Sequence, residues 1–153
     1  MEKLVKNWKK ALESDLQYIT GELKEEIQTP AVIFLEGNLG AGKTTLCQYF
    51  CDKQVLSPTY AILSEYHNIL HADFYRIEHS DEFVHLELAP YLEGKEYFFA
   101  EWGLRWIDQL VALVPDHYHY YKIKIEESTD QAIRPIDRKN LRDISLHVIN
   151  PLA

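Results

Sequence analysis

A short apolar run that ends at a glycine-rich loop decides which folds this chain can adopt. Residues 31–36 read AVIFLE, a continuous run of apolar, β-branched and aromatic side chains that predicts a strand buried on both faces. Residues 37–44 follow directly and read GNLGAGKT, and the pattern of residues 43–52 predicts a helix. A buried strand, a glycine-rich loop and a helix in this order are the context of a phosphate-binding loop.

The loop matches the pattern G-x-x-x-x-G-K-[ST] at every fixed position. Its three glycines lack Cβ atoms, so the backbone can turn tightly and bring consecutive N–H groups close to phosphate oxygens. Lys43, expected as an exposed cation, can reach the β- and γ-phosphates, and the hydroxyl of Thr44 can bind Mg²⁺. The predicted nucleotide-binding residues of the loop are Gly37, Asn38, Leu39, Gly40, Ala41, Gly42, Lys43, Thr44 and Thr45.

Two carboxylates stand at the ends of predicted strands, where open α/β sheets place their ligands. Asp73 ends the run ILHAD, and Glu101 ends the run YFFAE. Nucleotide hydrolysis needs a carboxylate on the side of the metal and a group that orders the attacking water. Both acids are therefore predicted catalytic and metal-site residues, and the residues alone leave open which acid takes which role.

A proline turn between the loop helix and the next strand presents one more hydroxyl group. Residues 57–60 read SPTY, and proline fixes its own φ and restricts the residue before it. Thr59 is therefore displayed on a firm turn, where it can sense the γ-phosphate and Mg²⁺ as switch segments do. An ordinary turn is the alternative interpretation.

The charge balance limits the partners of the chain. Sixteen Lys and Arg residues stand against 24 Asp and Glu residues, which gives a net charge of −8 over 153 residues. A protein that binds DNA or RNA through its phosphates needs a basic footprint, so direct nucleic-acid binding is not expected. Two cysteines, and apolar runs far shorter than a membrane span, predict a cytoplasmic protein that does not enter a membrane.

The rest of the pattern predicts one domain over residues 1–153. Apolar strands at 59–66, 69–73, 97–101 and 118–126 alternate with helices at 81–88 and 106–113. We expect the α/β, three-layer fold of P-loop NTPases, in which a central, largely parallel sheet has antiparallel additions and helices on both faces.

Both ends of the chain carry apolar residues at helical spacing. Residues 1–29 are predicted to be an N-terminal helical segment. The C-terminal extension, residues 126–153, fits a helix or a strand, and we favour a helix with Asp137 near its cap. In such a helix Arg134, Arg138 and Arg142 would form a basic stripe, for which a solvated face is the alternative.

Four motifs in a fixed order connect this chain to a known family. They are GNLGAGKTT at 37–45, SPTY at 57–60, HADFYR at 71–76 and EW at 101–102. With these residues the chain resembles the TsaE (YjeE-type) family over about residues 32–115. Members of that family are small P-loop ATPases needed for the threonylcarbamoyl-adenosine (t6A) modification of tRNAs.

The resemblance implies roles for individual residues. ATP and Mg²⁺ would be the cofactors, with Thr44 and Glu101 on the metal and Asp73 supporting the metal and the water. Trp102 would lie near the nucleotide, and Thr59 would belong to a mobile switch.

The resemblance also implies partners. The family acts with TsaB- and TsaD-like subunits, which carry out carbamoyl transfer to adenosine 37 of tRNAs that read ANN codons. Those partners would bind the tRNA, and this chain would be a slow ATPase that the partners stimulate. The first alternative is a small P-loop metabolite kinase. The second is a regulatory GTPase, but the N-K-x-D motif that reads the base in that class does not occur in the sequence.

Overall fold

A computed structural model of the chain describes residues 1–38, 40–52 and 62–152. These residues form one sheet of seven strands with helices on both faces. The strands are β1 (Glu2–Ala11), β2 (Ala31–Glu36), β3 (Leu63–Tyr66), β4 (Ile69–Asp73), β5 (Tyr97–Glu101), β6 (His119–Glu127) and β7 (Arg142–Ile149). The helices are α1 (Leu16–Glu26), α2 (Lys43–Phe50), α3 (Leu88–Leu92), α4 (Ile107–Leu113) and α5 (Pro135–Arg138), and 3₁₀ segments cover Glu13–Asp15, Ser80–Leu86 and Leu104–Trp106.

The centre of the sheet is parallel and its margins are antiparallel. The strand order is β1-β7-β6-β2-β5-β4-β3, and β6, β2, β5 and β4 run parallel to one another. Strand β3 adds antiparallel to β4, while β7 and then β1 add antiparallel beyond β6. The predicted mixed sheet is confirmed, and the carboxyl ends of four parallel strands meet at one edge.

Two hydrophobic cores, one on each face, make the molecule a three-layer structure. Successive residues of a strand point to opposite faces, so Ile33 belongs to one core and Phe34 to the other. The first core includes Leu23 of α1 and Leu46 of α2, and the second includes Leu110 of α4. The parallel strands are buried on both faces, which explains their continuously apolar sequences.

The N-terminal prediction is wrong for residues 2–11, which form strand β1 instead of a helix. This strand pairs antiparallel with β7 at the margin of the sheet. Trp8, one of the apolar residues at helical spacing, lies on this strand. Its indole N–H donates to Glu22 of α1 at 2.9 Å. The second half of the segment is helical as predicted, in α1.

The C-terminal prediction of a helix is also wrong, because residues 142–149 form strand β7. This strand pairs with β6 on one side and β1 on the other, and it buries Ile144 and Leu146 in the core. Asp137 lies inside the one-turn helix α5, whose N-cap is Arg134. No helix within the described residues is long and apolar enough to cross a membrane.

Candidate functional site

The phosphate-loop motif connects β2 to α2 at the edge where the parallel strands end. Gly40 and Gly42 have φ values of +81° and +108°, a backbone conformation that favours glycine. The N–H of Ala41 donates to the carbonyl of Asn38 at 3.0 Å and closes the turn. Helix α2 begins at Lys43, so its first N–H groups and the positive end of its dipole face the loop.

Gly37 is required because a side chain would not fit at this position, and not because of its φ value. A Cβ atom at this position would lie 2.5 Å from the carbonyl oxygen of Ile125 in β6 and 3.0 Å from the Cβ of Ala41. The first glycine of the loop therefore lets the chain leave β2 directly against the neighbouring strand.

Lys43 is buried, which corrects the expectation of an exposed cation. It is only 6% exposed, and its Nζ donates to the carbonyl of Gly37 at 2.7 Å. The same ammonium lies 4.0 Å from the centroid of the Trp102 ring. The hydrogen bond and the cation–π contact both stabilise the charge inside the loop.

The two threonines that follow Lys43 differ in exposure. Thr44 is exposed at the start of α2, and Thr45 is half-buried. The predicted residues Leu39 and Thr59, with the rest of the SPTY motif, lie outside the described residues.

Asp73 and Glu101 lie side by side, as the sequence predicts for two acids at the ends of neighbouring strands. They are paired in register across the parallel strands β4 and β5. Asp73 is exposed, and its Oδ1 accepts the N–H of Tyr75 at 3.0 Å. Glu101 is 6% exposed, and its Oε2 lies 2.5 Å from Nε2 of His71.

His71 is a site residue for which the sequence predicted no role. It lies on β4 two positions before Asp73, so the two side chains share a face of the sheet. The sequence did carry one signal for this residue: a polar side chain within a buried strand, two positions before the acid that ends the strand.

The donor chemistry of these residues fits Mg²⁺. The ion prefers oxygen ligands, and nucleotide sites commonly supply one or two carboxylates and leave other positions to phosphates and water. Within the described part of the chain no three His, Cys, Asp or Glu side chains gather into a metal cluster. Thr44 and the two acids instead offer the few oxygens that a magnesium–nucleotide site takes from the protein.

Trp102 is held in an unusual conformation directly after Glu101. Its φ is +58°, and its ring lies 5.1 Å from that of Tyr75. The next residue, Gly103, packs so closely that a Cβ atom there would lie 2.9 Å from Ala100 and 3.1 Å from the Phe34 ring. The indole lies beside the loop, against Lys43.

Two cysteines lie near the site, Cys47 on α2 and Cys51 directly after its end. Cys47 and Cys51 are both buried and free. Burial, with the nearby Glu101 carboxylate as the next cause, raises the pKa of the Cys47 thiol well above its usual range. Burial also raises the pKa of Cys51 to about 11. Both remain neutral thiols at physiological pH.

A cavity of about 240 Å³ opens beside the loop, between the β1–α1 junction and the start of β7. The sequence pattern did not reveal it, because its walls come from segments more than 100 residues apart. Its lining residues are Ala11, Leu12, Glu13, Leu16, Gly40, Ala41, Gly42, Thr45, Leu46, Ile125, Lys139, Asn140, Arg142 and Ile144.

Comparisons with known proteins agree with the motifs. The family model described as "Threonylcarbamoyl adenosine biosynthesis protein TsaE" matches residues 11–138. A protein of Nostoc sp. is 35% identical over 97 residues, which are 58% of this chain and 59% of the relative. A Bacillus subtilis protein is 40% identical over 81 residues, which are 47% of this chain and 50% of the relative. Both are named tRNA threonylcarbamoyladenosine biosynthesis protein TsaE, and the matches span only half to three-fifths of their lengths.

A solved structure supports the fold. The crystal structure of Bacillus subtilis YdiB aligns with a TM-score of 0.61 at 24% identity, over 98% of this chain and 88% of that one. The three-layer arrangement predicted from the sequence is therefore confirmed.

Proposed function

Because the chain belongs to the TsaE family, we propose that it binds ATP with Mg²⁺ and hydrolyses it as a subunit of the system that forms t6A in tRNA. One observation carries the proposal. Left-handed glycines, a buried lysine and the start of α2 converge on one loop at the carboxyl edge of the sheet. Such a loop is built to surround a polyphosphate.

Nucleotide binding has a defined consequence for Lys43. The Lys43 ammonium donates to the Gly37 carbonyl and lies against the Trp102 ring. The phosphates of a bound nucleotide would be stronger partners for this cation, so Lys43 would hold the β- and γ-phosphates and the backbone N–H groups of the loop would bind the remaining oxygens. Trp102 would then lose a cation from its face and would report nucleotide binding.

The two acids are proposed to share the metal side of the site. Thr44 would supply a hydroxyl. Among the described residues, His71 engages Oε2 of Glu101 and the N–H of Tyr75 engages Oδ1 of Asp73, so the second oxygen of each acid is proposed for Mg²⁺ or its water. When bound, Mg²⁺ neutralises charge on the β- and γ-phosphates. His71 holds the Glu101 carboxylate in place, and the exposed Asp73 is the more accessible of the two acids to water.

The cavity beside the loop is proposed to receive the nucleoside. Its volume lies below the roughly 300–1,000 Å³ of full ligand pockets, as expected where the phosphates lie outside it in the loop. Leu12 and Leu16 supply apolar walls for a base, and Thr45 lies on the side of the loop. This assigns to the N-terminal segment a contact that its sequence pattern did not reveal.

The remaining family expectations are proposals of the same kind. TsaB- and TsaD-like subunits would be the partners, in the cytoplasm, and tRNA would be bound through them. The net charge of −8 supports this division of labour, because a chain with so few cations has little affinity of its own for tRNA phosphates.

The test uses Lys43→Ala and the matched control Lys3→Ala, which removes an exposed lysine of β1. Titration with a fluorescent ATP analogue and Mg²⁺ should show saturable binding by the wild type and by the control. Lys43→Ala should bind about 10–100-fold more weakly, because a hydrogen bond to a charged partner contributes about 1.5–3 kcal/mol.

Turnover separates the proposal from its alternative. ADP release that rises when the two partner subunits are added supports the ATPase, whereas phosphate on a small acceptor indicates a metabolite kinase. Wild-type affinity in Lys43→Ala, or no uptake by folded wild-type protein, would refute the proposed site.

A further inference from the structure

The three arginines of the predicted C-terminal stripe have different surroundings in the structure. Arg134 caps α5, and its Nε donates to Asp137 at 2.9 Å with the side chain 79% exposed. Arg142 is half-buried at the start of β7 and turns toward the phosphate loop. The stripe does not exist, because the segment that would carry it is a short helix, a turn and a strand.

Arg142 connects the loop to the turn before β7. Its Nε donates to the carbonyl oxygen of Ala41 at 2.9 Å. Its Nη1 donates to the carbonyls of Lys139 at 2.6 Å and Leu141 at 3.1 Å. The rigid, planar guanidinium thus spans two backbone segments at once, which the single ammonium of a lysine does not do with the same geometry.

The hydrogen bond from Arg142 to the Ala41 carbonyl restrains the peptide group that joins Ala41 to Gly42. A trans peptide is planar, so its C=O and N–H point in opposite directions. When Arg142 holds the carbonyl of Ala41, the N–H of Gly42 is directed away from the guanidinium. Gly42 has a φ of +108° and could otherwise adopt several conformations at low cost. The arginine therefore restrains the Ala41–Gly42 peptide of the loop, one residue before Lys43.

The arginine itself is firmly placed. Arg142 is paired with Glu127 of β6 and Ala11 of β1, so it sits where three strands of the sheet meet. It also lines the cavity beside the loop, together with Gly42 and Thr45. Its charge and its hydrogen bond are thus both delivered to the nucleotide site from a part of the chain outside the matched family region, which ends at residue 138.

We propose that Arg142 is a positioning residue of the nucleotide site, which holds the Ala41–Gly42 peptide of the loop in its phosphate-binding orientation and adds a positive charge to the cavity wall. The inference rests on the proposed ATP binding. It gives the C-terminal strand β7 a role in nucleotide affinity in addition to its place in the sheet.

The experiment compares Arg142→Ala and Arg142→Lys with the control Arg134→Ala, which removes an exposed arginine near the same turn. The dissociation constant of a fluorescent ATP analogue is measured below the unfolding transition, and the unfolding temperature is measured without nucleotide. Arg142→Ala should bind about tenfold more weakly, the value expected if one backbone residue of the loop must be ordered when the nucleotide binds. Arg142→Lys should recover part of the loss, and the control should match the wild type.

A kinetic measurement separates positioning from plain stabilisation. On this proposal Arg142 orders the loop for nucleotide binding and takes no part in the chemical step, so its loss should raise KM and leave kcat nearly unchanged. If both Arg142 variants bind the analogue like the wild type, the inference is wrong even where their unfolding temperatures fall. If the wild type itself takes up no nucleotide, the proposed function fails first, and the two failures are thereby distinguished.

Discussion

Gly37→Ala is expected to destabilise the protein and weaken nucleotide binding through a single added methyl group. The new Cβ would lie 2.5 Å from the carbonyl oxygen of Ile125, where carbon–oxygen contacts of this kind normally measure about 3.3–3.6 Å. It would also lie 3.0 Å from the Cβ of Ala41. The first neighbour is backbone of the central strand β6, so the loop must move away from the strand.

The magnitude follows from the cost of overpacking, about 1–3 kcal/mol for a well-packed site. For a chain of this size each kcal/mol corresponds to about 2–4 °C in unfolding temperature, so we expect a decrease of roughly 2–12 °C. Gly21→Ala is the matched control. Gly21 is an exposed residue inside α1, and a Cβ atom added there would meet no described atom within 4 Å outside its own helical turn. That change should stabilise the protein by about 0.5–1 kcal/mol.

Thermal and urea unfolding, followed by circular dichroism, measure both variants beside the wild type. ATP-analogue titration then shows whether the displaced loop binds more weakly in Gly37→Ala while Gly21→Ala binds normally. If Gly37→Ala unfolds at the wild-type temperature and binds with wild-type affinity, the contact between the loop and β6 is not as tight as the structure has it, and the reasoning fails.

Two further changes test the site and the electrostatics of the fold. Glu101→Gln should keep ATP affinity within a few fold and reduce partner-stimulated turnover by about 10²-fold or more, because the carboxylate is expected to act mainly in the transition state. A single-turnover assay measures this rate. If the variant reacts at the wild-type rate, the catalytic role belongs to Asp73 instead. The pKa of Glu22 is held below its ordinary value of 4.5, first by the hydrogen bond from Lys6 and then by the one from Trp8. This stabilisation is present above the ordinary pKa and is lost as the pH falls through the lowered one, so Glu22→Gln should lower the unfolding temperature at pH 7, and the decrease should become smaller as the pH falls below 4.5. A decrease that stays the same from pH 7 to well below pH 4.5 would contradict the assignment.

The central elements could be predicted because their signals are local. Strands such as Ala31–Glu36 and Tyr97–Glu101 are short, continuously apolar runs, which follows from burial on both faces of a parallel sheet. Their order with the glycine loop is enough to place the site at one edge of that sheet. The two strand-end acids were found on the same ground, since parallel neighbours end together.

The margins of the sheet could not be predicted from local pattern. Strand β1 carries Leu4 and Trp8 at a spacing that also fits a helix, and most of its side chains are exposed. Its partner β7 lies more than 130 residues away, so the hydrogen bonds that decide its conformation are invisible in a short window. The contacts of His71 with Glu101 and of Arg142 with Ala41 were missed for the same reason, because each joins residues that only the fold brings together.

These distant contacts also bear on how an acidic protein could bind a polyphosphate. The net charge is −8, yet two cations, Lys43 and Arg142, each donate to a backbone carbonyl of the loop where the chain turns from β2 into α2. Strand β6 limits the loop through the tight contact at Gly37, and β7, the next strand on the same side of β2, contacts the loop through Arg142. If the proposed function holds, the antiparallel margin, which local sequence patterns did not predict, would help to order the loop for nucleotide binding.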